Sequence, residues 1–186
     1  MGLTLQNDYP LAPPIGYNGQ LIGAIRDCEI RTAKNVEVSA SIGFGRAVVF
    51  KRVSPASDFD VLLPAAQTDL VAGIVVRQDQ YGRVFSTTDL AGAALSIGEL
   101  DSVGLRPGTL FTILRRGKIL VVCEDGCAVG DRLFVRAVAA GDPEFLGGLN
   151  NAADATDMID CTTQGQWLSS TGPGGLAELW VDFINK

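Results

Sequence analysis

The sequence predicts an all-β protein: a β-barrel or β-sandwich with an extended N-terminal arm, long loops and little helix. Three observations carry that expectation. The 186 residues include 22 glycines and 8 prolines, and the acidic residues are 15 aspartates against 6 glutamates. Gly, Pro and Asp favour turns, whereas Glu favours helices. Short apolar runs alternate with turn signals at the spacing of sandwiches and barrels. Finally, no segment sustains a 3.6-residue apolar period beyond about two helical turns. The length fits one domain or at most two small ones. It divides into an arm over 1–20 and a β-rich domain over 21–186, with room for a subdomain or long insertion around 54–108.

The arm, MGLTLQNDYPLAPPIGYNGQ, cannot be helical, because Pro10, Pro13 and Pro14 fix their own backbone and push the preceding residues toward extended conformations. It nevertheless carries Leu3, Leu5, Tyr9, Leu11, Ile15 and Tyr17. A free tail would be polar. The arm is therefore expected to lie on something, either its own domain or a neighbouring molecule.

Beyond it, LIGAIRDCEIRTA and VEVSASIGFG read as the first strands. In the second, Val36, Val38, Ala40 and Ile42 alternate as one buried face would. AVVFKRV (47–53) follows, then a loop over 54–68 rich in Pro, Ser and Asp, then the strong strand LVAGIVVRQ (70–78). After a weakly patterned stretch ending at the Arg106-Pro107-Gly108 turn, TLFTILRRGKILVVCEDG reads as a hairpin that reverses at Arg116-Gly117. AVGDRLFVRAVA (128–139) is the next strand, entered through the Val129-Gly130-Asp131 turn. Residues 141–158 are small, polar and Gly/Asn-rich and read as a long surface loop. IDCTTQGQWL, a glycine turn and the strand AELWVDFI (177–184) close the chain, with Leu179, Val181 and Phe183 on one face.

The parts for catalysis are missing. Histidine is absent, which removes the commonest general base and the commonest metal ligand. Among the lysines at 34, 51, 118 and 186, Lys118 follows the expected turn and Lys186 is the last residue, so neither suits a desolvated catalytic amine. Asp58 and Asp60 read as a solvated loop whose Phe59 reaches the core, not as a carboxylate pair. Gly43-Phe44-Gly45 and Gly172-Pro173-Gly174-Gly175 lead into strand-like sequence, where a phosphate cradle would open a helix. Glu124-Asp125 and Asp154, Asp157 and Asp160 lack the ligand spacing of an EF-hand. Cys28, Cys123, Cys127 and Cys161 lack zinc-site spacing and read as small buried hydrophobes; a Cys123–Cys127 disulfide across Asp125-Gly126 would fit but is not needed. No catalytic, cofactor or metal site is expected.

The net charge of −6 speaks against direct binding of nucleic acid. No run approaches a membrane span, and the N-terminus lacks the pattern of a signal peptide, so synthesis in the cytoplasm is expected. The cations are 11 Arg and 4 Lys, a balance suited to interfaces because Arg tolerates partial burial.

With these segments in view, the chain resembles the small cement (decoration) proteins of tailed-bacteriophage capsids. The likeness lies in the apolar arm, in the small-residue turn leading to Phe44-Gly45-Arg46-Ala47-Val48, in the central GIVV segment and in GTLFTILRRGKILVVCEDGCAVGDRLFVR. A V-G-D-x-L signature also occurs in lipoyl-type domains, but the Arg115-Arg116-Gly117 that precedes Lys118 does not match their modified lysine. The resemblance implies a non-enzymatic homotrimer that binds the outer surface of the expanded capsid and clamps neighbouring subunits of the major capsid protein. It needs no cofactor and contacts neither nucleic acid nor membrane. Leu5, Tyr9, Leu11, Ile15 and Tyr17 are then the candidate capsid or inter-subunit contacts. The alternatives are another phage structural β protein of tail, baseplate or adaptor type, and a small-ligand-binding β-barrel.

Overall fold

The computed structural model describes residues 16–23, 27–38, 41–51, 60–77, 104–138, 145–153 and 157–184. They form β1 (Gln20–Ile22), β2 (Glu29–Asn35), β3 (Ala47–Phe50), β4 (Asp60–Leu62), β5 (Val71–Val75), β6 (Leu110–Val122), β7 (Phe134–Arg136), β8 (Leu149–Asn150), β9 (Met158–Asp160), β10 (Gly165–Trp167) and β11 (Leu176–Asp182). No α-helix occurs among the described residues, and the all-β expectation holds.

Five strands close a barrel in the order β6-β2-β4-β3-β5 and back to β6. Four of the contacts are antiparallel, and β2–β4 is parallel. Because side chains alternate across a strand, β3 and β5 each serve two cores. Val48, Ala72 and Val75 join Ala33, Val61, Phe111 and Ile113 in one cluster. Ala47, Val49, Val71, Ile74 and Val76 join a second, built mainly from the C-terminal strands around Trp167, Leu179 and Val181. Asn35 is fully buried beside the first cluster, where its side-chain amide donates to the Leu105 carbonyl at 2.9 Å.

The expected hairpin at Arg116-Gly117 is not formed. β6 runs straight through it for 13 residues. Its first half pairs with β2 and β5, and its second half with β1 and β11. The inward-facing set changes on the way, from Phe111 and Ile113 in the barrel cluster to Ile119 and Val121 in the other. A register shift opposite Glu29/Ile30 and the positive φ of Gly117 (136°) mark the change. A Cβ on Gly117 would stand 2.8 Å from Cys28 Sγ. The extra residue of the shift is Arg115, so a bulge beside the Gly that looked like a turn lets one strand belong to two sheets.

Four other expectations change. Val38 is 95% exposed while Ile42 is fully buried, so Val36–Ile42 is not one continuous strand face; β2 ends at Asn35. The expected loop over 54–68 contains β4, whose Val61 lies inside the barrel. The expected surface loop over 141–158 contains β8, with Leu149 and Asn150 both buried. Residues of low strand propensity are held there by tertiary pairing with β7. Conversely, the strand expected over 128–139 shrinks to Phe134–Arg136. The Val129-Gly130-Asp131 turn is as expected, with the Asp131 N–H donating to the Ala128 carbonyl at 3.1 Å. Leu179, Val181 and Phe183 do share the buried face of β11.

Candidate interaction surface at the root of the arm

Residues 17–20 make a turn in which the Gln20 N–H donates to the Tyr17 carbonyl at 3.0 Å. Two adjacent residues fasten this turn to the domain. The Asn18 side chain donates to the Phe44 carbonyl at 2.8 Å and accepts from the Val122 N–H at 3.2 Å, so it bridges the approach to β3 and the end of β6. Gly19 donates its N–H to the Leu120 carbonyl and accepts from the Arg77 N–H, both at 2.8 Å, so it bridges β6 and the chain leaving β5. Gly19 has φ 82°, and a Cβ there would stand 2.9 Å from the Gly45 nitrogen and 3.0 Å from the Val75 carbonyl oxygen. Only glycine meets both demands. The chain then enters β1, which pairs Gln20, Leu21 and Ile22 with Leu120, Ile119 and Lys118.

Tyr17 stands outward from this turn and is 56% exposed. The Arg77 guanidinium lies over its ring, 4.7 Å from the centroid, and 5.8 Å from that of Phe44. Stacking of this kind holds an aromatic ring in place at modest energy, about 0.5–1 kcal/mol at an exposed site. Tyr17, Gln20, Leu21, Val76 and Arg77 line a cleft of about 340 Å³.

On the other side of Asn18, Asn18, Arg46, Glu124 and Phe145 share the lining of a second cleft of about 290 Å³. Arg46 lies 4.3 Å from the Phe145 ring centroid and donates to the Leu146 carbonyl at 3.2 Å. Burial pulls the Arg46 guanidinium below its ordinary range, against the opposing pull of Glu124. Glu124 in turn receives Arg136 Nε at 2.7 Å, with both side chains almost wholly buried, and accepts the Phe145 N–H at 3.1 Å. This polar chain ties the approach to β3, the end of β6, β7 and the segment before β8 to one another.

Of the candidate contact residues, Tyr17 lies in the turn before β1, while Leu5, Tyr9, Leu11 and Ile15 fall outside the described residues. Asn18, Gly19 and Arg77 were not singled out in the sequence. The Asn18-Gly19 dipeptide is a turn signal, but nothing local says that its amide reaches Phe44, 26 residues on, and Val122, 104 residues on.

The cysteines are free thiols. Cys123 is pushed up to about 12, chiefly by burial and then by its neighbour Cys127. Such a thiol is inert at neutral pH. Asp60 sits on β4, and Asp58 and Phe59 fall outside the described residues. Among the described residues no group of Cys, Asp and Glu is placed to hold a metal ion. The glycine stretch over 172–175 leads into β11, and Gly43-Phe44-Gly45 leads toward β3, with Phe44 buried.

A family model described as structural cement protein (E217 gp24/Pam3 gp6) matches residues 5–181. No curated protein matches the sequence. Among solved structures, the chain is similar to one in the capsid of Myoviridae Phage XM1, with a TM-score of 0.61 and 13% identity, covering 97% of this chain and 98% of that one. At that identity the likeness is one of fold. A looser similarity, with a TM-score of 0.44 and 13% identity, covers 83% of this chain and 94% of the head fibre gp8.5 N base of bacteriophage phi29.

Proposed function

The chain belongs to the structural cement proteins of phage capsids, and from that premise we propose that its arm reaches from a fixed root to clamp neighbouring capsid subunits. Its role is that of capsid cement, in association with the capsid protein. The proposal adds the outer face of the expanded shell as the site of binding, the homotrimer as the working unit, and residues 1–20 as the arm. Clamping of this kind asks for no catalysis, cofactor, nucleic acid or membrane.

The observation that carries the reading is the double fastening of Asn18 and Gly19 to β5, β6 and the approach to β3. A loosely tethered arm would transmit little force. Here, tension on the arm is delivered to the barrel at three places. Leu5, Tyr9 and Leu11 stand at odd positions, with Gln6 and Asp8 among the even ones. An extended segment that adds to a neighbour's sheet edge would present these apolar residues on one face. Ile15 and Tyr17 continue the contact to the surface of the domain. Repetition around a shell allows each contact to be modest.

The test is removal of residues 1–15, which spares Asn18 and Gly19, followed by measurement of occupancy on purified, undecorated expanded capsids. Loss of occupancy with an unchanged thermal unfolding transition is the expected result. Full occupancy by the truncated chain would overturn the role of the arm. Light scattering of the free protein checks the trimer.

A further inference from the structure

The outward face of the sheet that continues beyond the barrel carries a cleft lined by polar side chains around Trp180. Side chains of directly paired residues share a face. The pairings Arg132 with Gln166, Gln166 with Trp180, Trp180 with Lys118, and Lys118 with Ile22 therefore set these residues in one row across the sheet. Leu179 and Val181 are fully buried on the opposite face, so the ring of Trp180 is on the solvent side. Around it Gly130, Arg132, Thr162, Thr163, Gly165 and Gln166 complete a cleft of about 450 Å³, within the ~300–1,000 Å³ of ordinary small-molecule sites.

The polar lining is partly fixed in place. Asp160 accepts the Thr162 N–H at 2.9 Å. Thr162 and the nearby charge of Arg132 both stabilise the Asp160 carboxylate. Gln166 Nε2 leans on the Gly130 carbonyl at 3.4 Å.

We infer that this cleft binds a neutral saccharide unit, stacked on Trp180 and hydrogen-bonded by Gln166, Arg132 and the two threonines. A pyranose has an apolar C–H face that suits an indole and a rim of hydroxyls that both donate and accept. The lining offers one aromatic plane surrounded by an amide, a guanidinium and two hydroxyls, which matches that division. Asp160 stands near Arg132, and a carboxylate beside the guanidinium works against an anionic ligand such as phosphate or sulfate. A protein hot spot would instead gather apolar neighbours around the aromatic; here there are none in the lining.

The test uses the full-length protein, isotope-labelled so that the two indole N–H resonances of Trp167 and Trp180 are resolved. It is titrated separately with maltotriose, lactose, methyl α-mannoside and triacetylchitotriose. The expected result is a saturable shift of the Trp180 resonance with at least one probe, at a Kd on the order of 1 mM, while buried Trp167 stays put. Trp180→Ala and Gln166→Ala should weaken that binding by roughly tenfold or more, and Trp180→Phe should retain it. An unchanged thermal transition in the variants separates loss of the site from loss of the fold. No saturable shift with any probe overturns the inference, as does a shift that survives Trp180→Ala. So does a Trp180→Ala protein that leaves capsids while the native protein binds no probe, which would make this face a capsid contact.

Discussion

The barrel and the C-terminal β-layer are cemented by different chemistry. The barrel cluster is composed of aliphatic and aromatic side chains, with Asn35 as a buried polar residue beside it. Its backbone groups are satisfied by closure of the five-strand ring. In the C-terminal layer β7, β8, β9 and β10 have only two or three residues each. So few ladder bonds leave much for side chains to do. Arg136 and Glu124 pair there in near-complete burial, the Asn150 amide donates to Asp125, and Asn151 donates to Asp131 at 2.8 Å. Ring closure removes sheet edges and with them the need for polar fastening. Short strands lack that economy, so specific polar pairs hold them in register.

The largest loss of stability is expected at Glu124. Glu124→Ala would leave the Arg136 charge buried beside an orphaned Phe145 N–H, and should cost about 3–5 kcal/mol in urea unfolding. Replacing both partners, with Glu124→Leu and Arg136→Met together, should recover most of that loss; failure to recover would mean the pair does more than neutralise itself. In the barrel, Phe111→Ala should cost roughly 3–4 kcal/mol through the void it leaves, and no single partner change should rescue it.

A smaller effect is expected at the junction between the two regions. Asn18→Ala removes a donor to Phe44 and an acceptor for Val122, and should lower stability by about 1–2 kcal/mol. The same variant should speed hydrogen exchange at the Val122 and Gln20 amides more than in the barrel interior. Smaller still is Arg116→Ala. Its ion pair with Asp182 is long, 3.6 Å, and its side chain is 58% exposed. The expected loss is below about 0.5 kcal/mol and should vanish in high salt.

The smallest expected effect concerns acid. Asp131 is held below the ordinary aspartate range by Asn151 and then by the Ala128 N–H, and Asp160 by the Thr162 N–H and hydroxyl. A carboxylate with a depressed folded-state value adds stability above its unfolded value and loses it as pH falls through the folded one. Stability should therefore decline below about pH 4, and Asp131→Asn should flatten that decline, as read from thermal midpoints across the acid range. Neither carboxylate is buried, so the slope should be shallow. Both serve the C-terminal layer, and the decline should be seen there before it is seen in the barrel.

Local signals match the structure where period and punctuation are strong. LVAGIVVRQ contains β5, AELWVDFI contains β11, and Val129-Gly130-Asp131 is a turn. They mislead where one local signal serves two structural ends. Arg116-Gly117 has the composition of a hairpin turn, but the strand continues because β11 and β1 wait on either side of its second half to pair with it. Leu149-Asn150 has the composition of a loop, but β7 recruits it.

By itself the sequence determined the class of fold: alternating apolar residues and frequent turn formers allow only sheets, and those periodicities are local. It also determined, by the absence of histidine and of nucleophile, zinc or phosphate motifs, which chemistry not to expect. The tertiary structure alone decided that β6 belongs to two sheets, that Asn18 and Gly19 fasten the turn before β1 to the barrel, and that Arg132, Gln166 and Trp180 meet in one row. Each of these rests on partners tens of residues apart, and pairing at that distance is fixed by packing and register of the whole sheet, which no local pattern encodes.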